Sequence, residues 1–340
     1  MNDDCLKVTA YFGERDTVDG RFLAEHVLDL FEQHALQTSV LLRGTEGFGS
    51  KHRLQTQRFL SLSEDLPLVA IGVDARARVE PLIDHVNSSL SDGLFTVERA
   101  RMLTGRVGEI DLPDALGDEM KLTIYCGRAE RIYGQPAMTA IVELLQRHGV
   151  SGATVLLGVD GLVHGLRQRA RFFSRNTNVP LMIIAVGSAD AIADAVPKLG
   201  SILDRPLFTF ERIAVLKRDG ERLNPVGEYP DEDGERARVW QKLMIYASEQ
   251  ARFDGHPLYV ELIRRLRHEN AAGATAIRGV WGYHGDHAPH GDRLLSLRRH
   301  VPVVTILVDR PSEIRRVWPI IDEATAEHGL VTSEFVFERS

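Results

Sequence analysis

Cysteine is scarce in this chain of 340 residues: Cys5 and Cys126 are its only two. They fit no zinc-ligand spacing and no disulfide framework, which excludes a stapled secreted scaffold and points to a reducing cytoplasm. Long apolar runs are also missing. The longest, such as Leu181 to Val186, have the length of a strand and cannot span a bilayer. The acidic start, Met1-Asn2-Asp3-Asp4, has no apolar signal core. There is no excess of positive charge, and a net charge of −7 excludes a general affinity for nucleic acid or anionic membrane. Local basic clusters could still hold phosphate. What remains, 44% hydrophobic and 26% charged, is the composition of a soluble globular protein long enough for two or three domains.

What is present is a repeat. Leu6-Lys7-Val8-Thr9-Ala10-Tyr11 recurs as Met120-Lys121-Leu122-Thr123-Ile124-Tyr125 and again as Gln241-Lys242-Leu243-Met244-Ile245-Tyr246. In the same register Gly20 aligns with Gly134 and Gly255, and Leu66-Pro67 with Val179-Pro180 and Val301-Pro302. Leu94, Thr96 and Glu98 match Leu207, Thr209 and Glu211, then Leu330, Thr332 and Glu334. Matches in one order across a unit of this length define a small domain, not a solenoid element. The copies fall at 1–103, 119–216 and 238–340. Between them, 104–118 and 217–237 read as exposed linkers rich in turn residues.

Within the first copy, Leu6 to Phe12 reads as a strand and Arg21 to Ala35 as an amphipathic helix. Thr38 to Leu42 and Leu68 to Val73 follow as strands, then Val79 to Leu90 as a helix and Phe95 to Leu103 as a fourth strand. The order βαββαβ predicts an α+β, ferredoxin-like unit with both helices on one face of an antiparallel sheet. The bare faces of three such sheets would bury one another around a pseudo-threefold axis, giving a monomeric pseudo-trimer. Tyr11, Tyr125 and Tyr246, at the ends of the first strands, are expected to pack on the sheet face.

Further motifs carry a family resemblance. They are Val40-Leu41-Leu42-Arg43-Gly44, Gly47-Phe48-Gly49, Glu64-Asp65-Leu66-Pro67 and Gly93-Leu94-Phe95-Thr96, with Gly152-Ala153-Thr154-Val155-Leu156, Gly273-Ala274-Thr275-Ala276-Ile277-Arg278-Gly279 and Gly329-Leu330-Val331-Thr332 in the later copies. The chain resembles the domain of unknown function 190 family, itself similar to PII-like signalling proteins. That resemblance implies a cytoplasmic regulator binding an adenine nucleotide or another small effector in clefts between units. It also implies that the long loop after the second strand reports occupancy to a partner such as a membrane transporter or channel. The extended basic glycine loop of true PII proteins is absent before the fourth strand, which favours a smaller or differently held ligand.

Candidate ligand residues lie mainly in those long loops and at their edges. Gly44, Gly47 and Gly49 could turn backbone N–H groups toward phosphate, with Lys51, Arg53 and Arg58 nearby. Arg171 and Arg293 align with Arg58, and Arg278 with Arg43. Arginine suits bidentate phosphate contact, and equally an ion pair with a neighbouring copy. Arg167, Arg169 and Arg171 alternate, as one charged strand face or a solvated hairpin. The third loop holds His284, His287 and His290 with Asp286 and Asp292, a set that could gather a divalent transition metal. This is the alternative reading, a metal-binding protein like the trimeric CutA relatives of this fold. Gly44 to Lys51 mimics a P-loop, but its Ser50-Lys51 order is reversed. No nucleophile or zinc-protease motif appears, and no paired carboxylates are seen to recur with the repeat, so no enzyme activity is expected.

Overall fold

In the computed structural model the described residues are 1–49, 52–56, 65–90, 93–105, 107, 118–169, 179–227, 239–285, 289–291 and 301–338. Repeat 1 contains strands Asn2–Gly13, Thr38–Arg43, Pro67–Ala75 and Leu94–Thr104 with helices α1 (Leu23–Gln33) and α2 (Arg76–Ser89). Repeat 2 contains Glu119–Gly127, Gly152–Leu157, Pro180–Ser188 and Leu207–Arg212 with α3 (Ala137–Arg147) and α4 (Ala189–Ile202). Repeat 3 contains Val239–Ser248, Ala274–Arg278, Pro302–Asp309 and Leu330–Glu338 with α5 (Leu258–His268) and α6 (Pro311–Ala324). Each is an α+β unit. The third strand pairs with the second and the first, and the first pairs with the fourth, all antiparallel. Among the described residues no helix is long and apolar enough to cross a membrane.

Alternation along the first strand assigns each side chain to one of two cores, because successive residues face opposite sides of a sheet. Leu6, Val8, Ala10 and Phe12 pack with Val27, Phe31, Leu82 and Val86 of α1 and α2. Repeats 2 and 3 build equivalent cores of their own. The other faces meet in a fourth core to which all three repeats contribute: Val69, Ile71 and Val73 with Met182, Ile184 and Val186, and with Val304, Ile306 and Val308.

Two sets of strand pairings close the repeats into a cycle. The first uses short docking strands inside the loops that read as glycine-rich and polar. Glu46–Phe48 of repeat 1 pairs with the second strand of repeat 3, with Gly47 opposite Thr275. Asp160–Val163 of repeat 2 pairs with that of repeat 1, and Trp281–His284 of repeat 3 with that of repeat 2. The second set joins fourth strands: Leu207–Phe210 pairs with Arg101–Thr104, and Phe337 and Glu338 lie opposite Val97 and Thr96.

The remaining junction corrects the expected linker boundary. Lys217 does not begin an exposed connection. Ala214–Arg218 is a strand paired with the start of the fourth strand of repeat 3, and it turns back through Glu221–Arg222. Lys217 is buried and donates to Asp322 of α6, through its carbonyl at 2.6 Å and its carboxylate at 2.8 Å; Arg222 bonds the same carboxylate. A hairpin whose polar residues find partners on the next repeat has the composition of a linker.

Candidate ligand clefts

At the centre of the shared core lies a closed ring of six charges. Lys7 meets Glu98 at 3.5 Å and Glu211 at 3.2 Å. Lys121 meets Glu211 at 3.8 Å and Glu334 at 2.5 Å. Lys242 meets Glu334 at 3.5 Å and Glu98 at 2.6 Å. Each lysine thus bridges the glutamate of its own repeat and that of another. Burial alone would lower the Lys7 pKa; Glu211 and Glu98 outweigh it and hold the ammonium well above its ordinary value. Burial likewise opposes ionisation of Glu98 and Glu334, yet the surrounding lysines keep both below the usual carboxylate range. The recurring Glu98, Glu211 and Glu334 of the sequence are thus each paired with lysines. The signal was the repeated Lys and Glu in otherwise apolar strands. Tyr125 and Tyr246 belong to the same core, with Tyr11 packed against it.

Around this centre, two cavities open at boundaries between repeats. One, of about 420 Å³, lies between repeats 2 and 3, with Gly152, Ile184 and Val186 on one side and Tyr246, Tyr283 and Leu330 on the other. The second, of about 320 Å³, lies between repeats 3 and 1, with Gly273, Ile306 and Val308 facing Tyr11, Phe48 and Leu94. These residues are counterparts pair by pair in the repeat alignment. Each cavity is walled by the second and third strands of one repeat. The ends of the first strand, the docking strand and the fourth strand of the next repeat complete it.

The candidate residues distribute unevenly. Gly49 and Arg53 line the cavity between repeats 3 and 1. Gly44 donates its N–H to Pro67 O at 2.8 Å, so that group is engaged within the repeat. A Cβ on Gly47 would meet Ala274 O at 2.7 Å, which gives this glycine a reason in the close approach of two repeats. Arg43 pairs with Glu14 at 2.8 Å, and its counterpart Arg278 with Glu249 at 2.6 Å. Repeat 2 carries Leu157 and Arg128 at those two positions, so both partners changed together. Lys51, Arg58, Arg171, Arg293 and His287 lie outside the described residues, and His290 is described in its backbone alone. His284 contacts Asp219 through Nε2 at 2.9 Å. Among the described residues no group of three or more His, Cys, Asp or Glu could hold a metal ion.

The docking strands seat three different chemistries on the neighbouring helices. Arg167 reaches Asp29 of α1 at 2.6 Å and Glu32 at 3.4 Å while pairing with its own Asp160, and Arg169 reaches Glu25 at 2.7 Å. Arg167 and Arg169 thus form a clamp between repeats 2 and 1. At the position aligned with Asp160, repeat 1 carries Glu46, whose burial raises its pKa to about 7, offset in part by Arg264 of α5. In repeat 3 it is Trp281, partly buried against the core of repeat 2, and Tyr283 donates to Val150 O at 2.7 Å.

The architecture defines a tandem α+β repeat protein with ligand-sized clefts at its internal boundaries. Residues 5–102, 119–215 and 240–337 each match the model of the DUF190 family, described as uncharacterized ACR. The chain belongs to that family and carries three tandem copies of its domain. It is similar to a UPF0166 protein of Aquifex aeolicus, 34% identical over 95 residues, covering 28% of this chain and 88% of that protein. A UPF0166 protein of Methanocaldococcus jannaschii is 32% identical over 89 residues, covering 26% and 82%. A solved anthrone oxidase-like protein aligns with 61% of this chain and 92% of its own at 12% identity and a TM-score of 0.18.

Proposed function

We propose that this chain is a PII-like regulatory protein. In this reading its three ferredoxin-like units form a pseudo-threefold trimer within one polypeptide, and small effectors bind in the clefts between units. The observation that carries the reading is the equivalence of the two cavities, built from the same structural positions at two boundaries. Their volumes are in the range of small-molecule sites. The proposed effector of the cleft between repeats 3 and 1 is an adenine nucleotide or a related anion. Arg53 is the one Lys or Arg among its described lining residues, and Asp16 and Asp65 there accept backbone N–H bonds from Gly13 and Arg15. The loops leave the docking strands beside the clefts, which suits them to report occupancy to a partner protein such as a transporter or channel.

The test is a panel of ATP, ADP, AMP and cyclic dinucleotides, read by melting temperature and by tryptophan emission. Trp240 lines this cleft and is the reporter, with Trp240→Phe as its control. The reading expects a saturable rise in melting temperature, since a ligand that binds only the folded state stabilises it. It also expects an emission change that Trp240→Phe removes. A flat response in both signals across the panel contradicts it.

A further inference from the structure

We infer that the cleft between repeats 2 and 3 is a site for a flat heteroaromatic ligand, uncharged or singly cationic, that carries no phosphate. This inference rests on reading the clefts as effector sites, and it gives this cleft a chemistry different from that of its counterpart between repeats 3 and 1.

The lining decides the class. Ile184, Val186 and Leu330 supply aliphatic walls, and Tyr246 and Tyr283 supply rings. The Tyr283 hydroxyl is committed to Val150 O at 2.7 Å and that of Tyr246 to the Met244 sulfur at 3.4 Å, so these residues offer ring surface. Planar ligands are held well by such aromatic walls. No Lys or Arg occurs among the described lining residues, whereas Asp219 does. A phosphate placed there would meet the Asp219 carboxylate, with the imidazoles of His284 and His328 in place of a Lys or Arg that would offset the desolvation of either charge.

Asp219 is held in place. It sits at the turn of the repeat 2 hairpin with φ +47, and Gly220 follows with φ +85, the conformation of a two-residue hairpin turn. Its N–H bonds Gly329 O at 2.8 Å, and its Oδ1 lies 2.9 Å from His284 Nε2. The carboxylate and imidazole therefore stand together at the cleft, contributed by different repeats. A ligand N–H or ring cation finds an acceptor in that carboxylate, whereas an anion meets its charge. The corresponding docking strand of repeat 1 has Phe48 and Gly49 in place of Tyr283 and His284, and that cavity adds Arg53.

The experiment is isothermal titration of the full chain with adenosine, 1-methyladenosine, AMP and ATP, repeated on Asp219→Asn and Trp240→Phe. Asparagine accepts a positive φ, so the ligand-free melting temperature should hold; if Asp219→Asn fails to fold, Asp219→Gly replaces it. The expected result is that adenosine and 1-methyladenosine bind at least about 10-fold more tightly than AMP at a site insensitive to Trp240→Phe. Asp219→Asn should weaken the cation by about 10-fold or more and narrow the gap between adenosine and AMP. AMP or ATP binding as tightly as adenosine at an Asp219-dependent site overturns the inference. So does adenosine binding that Asp219→Asn leaves unchanged and Trp240→Phe removes. If ATP binds with a Trp240 signal and neither nucleoside binds, the inference fails while the effector reading stands. If no probe binds at all, both fail.

Discussion

Lys242 of the third repeat reaches Glu98 of the first at 2.6 Å, and both side chains are only 4% exposed. Removing one partner of a buried ion pair leaves an uncompensated charge in the interior, which costs about 3–5 kcal/mol. Lys242→Met should therefore lower stability by about that amount in urea or guanidinium unfolding. The double variant Lys242→Met/Glu98→Met keeps the remaining four charges balanced and should recover much of the loss. A loss below about 1 kcal/mol in the single variant would show that the ring does not hold the repeats together.

The same ring sets an acid limb. Folded Glu98 and Glu334 bind protons less readily than in the unfolded chain, whose reference is 4.5. Their contribution is present above that pH and is lost as pH falls through the lower folded values. Glu46 acts in the opposite sense. Its folded pKa of about 7 lies above its reference of 4.5, so the folded state binds more protons in that interval and stability falls as pH rises across it. Glu46→Gln should remove this slope and stabilise the protein by roughly 2–3 kcal/mol at pH 8. Unfolding midpoints from pH 4 to 8 for both proteins check this, and parallel curves would refute it.

Arg167 clamps repeat 2 to α1 of repeat 1 from a position only 20% exposed, against Asp29 and Asp160. Arg167→Ala should cost roughly 1–3 kcal/mol, because hydrogen bonds to charged groups are lost and Asp160 stays buried. Asp29→Arg should also destabilise, and Arg167→Asp/Asp29→Arg should recover part of that loss if the contact is direct. A double-mutant cycle with a coupling near zero would contradict the clamp.

Gly282 admits the backbone of repeat 2: a Cβ there would meet Ala153 O at 2.3 Å. Gly282→Ala should force the docking strand of repeat 3 away from the second strand of repeat 2. The expected readout is faster amide exchange in both segments, with a stability loss of about 2 kcal/mol or more. Unchanged exchange in 152–155 and 281–284 would contradict it.

Much of each unit was legible in the sequence, because alternation and helical spacing report local packing. The first helix was expected over Arg21 to Ala35 and occurs at Leu23–Gln33. The docking strands were not legible. Glu46-Gly47-Phe48 has a glycine at its centre, and its ladder partner, Ala274 to Ala276, lies in another repeat. The burial of the ionic ring is hidden in the sequence for a related reason. Lys7, Thr9 and Tyr11 alternate with Leu6, Val8 and Ala10 like the wet face of a sheet, and only closure of the cycle makes that face interior. Asp219-Gly220 between two charged pairs was a readable hairpin signal, obscured by the linker-like composition around it. The cavities depend on how repeats meet, so their position followed from the architecture, while their chemistry depends on residues such as Asp219 contributed across a boundary.

In the proposed reading one chain closes its own ring and carries small effectors in the clefts. Native mass spectrometry of freshly purified protein, before and after addition of ATP and adenosine, tests it most directly. Particles containing a single chain are expected, with saturable small-molecule adducts of no more than three per chain. A stable assembly of three chains, or single chains that take up neither ligand, would contradict it.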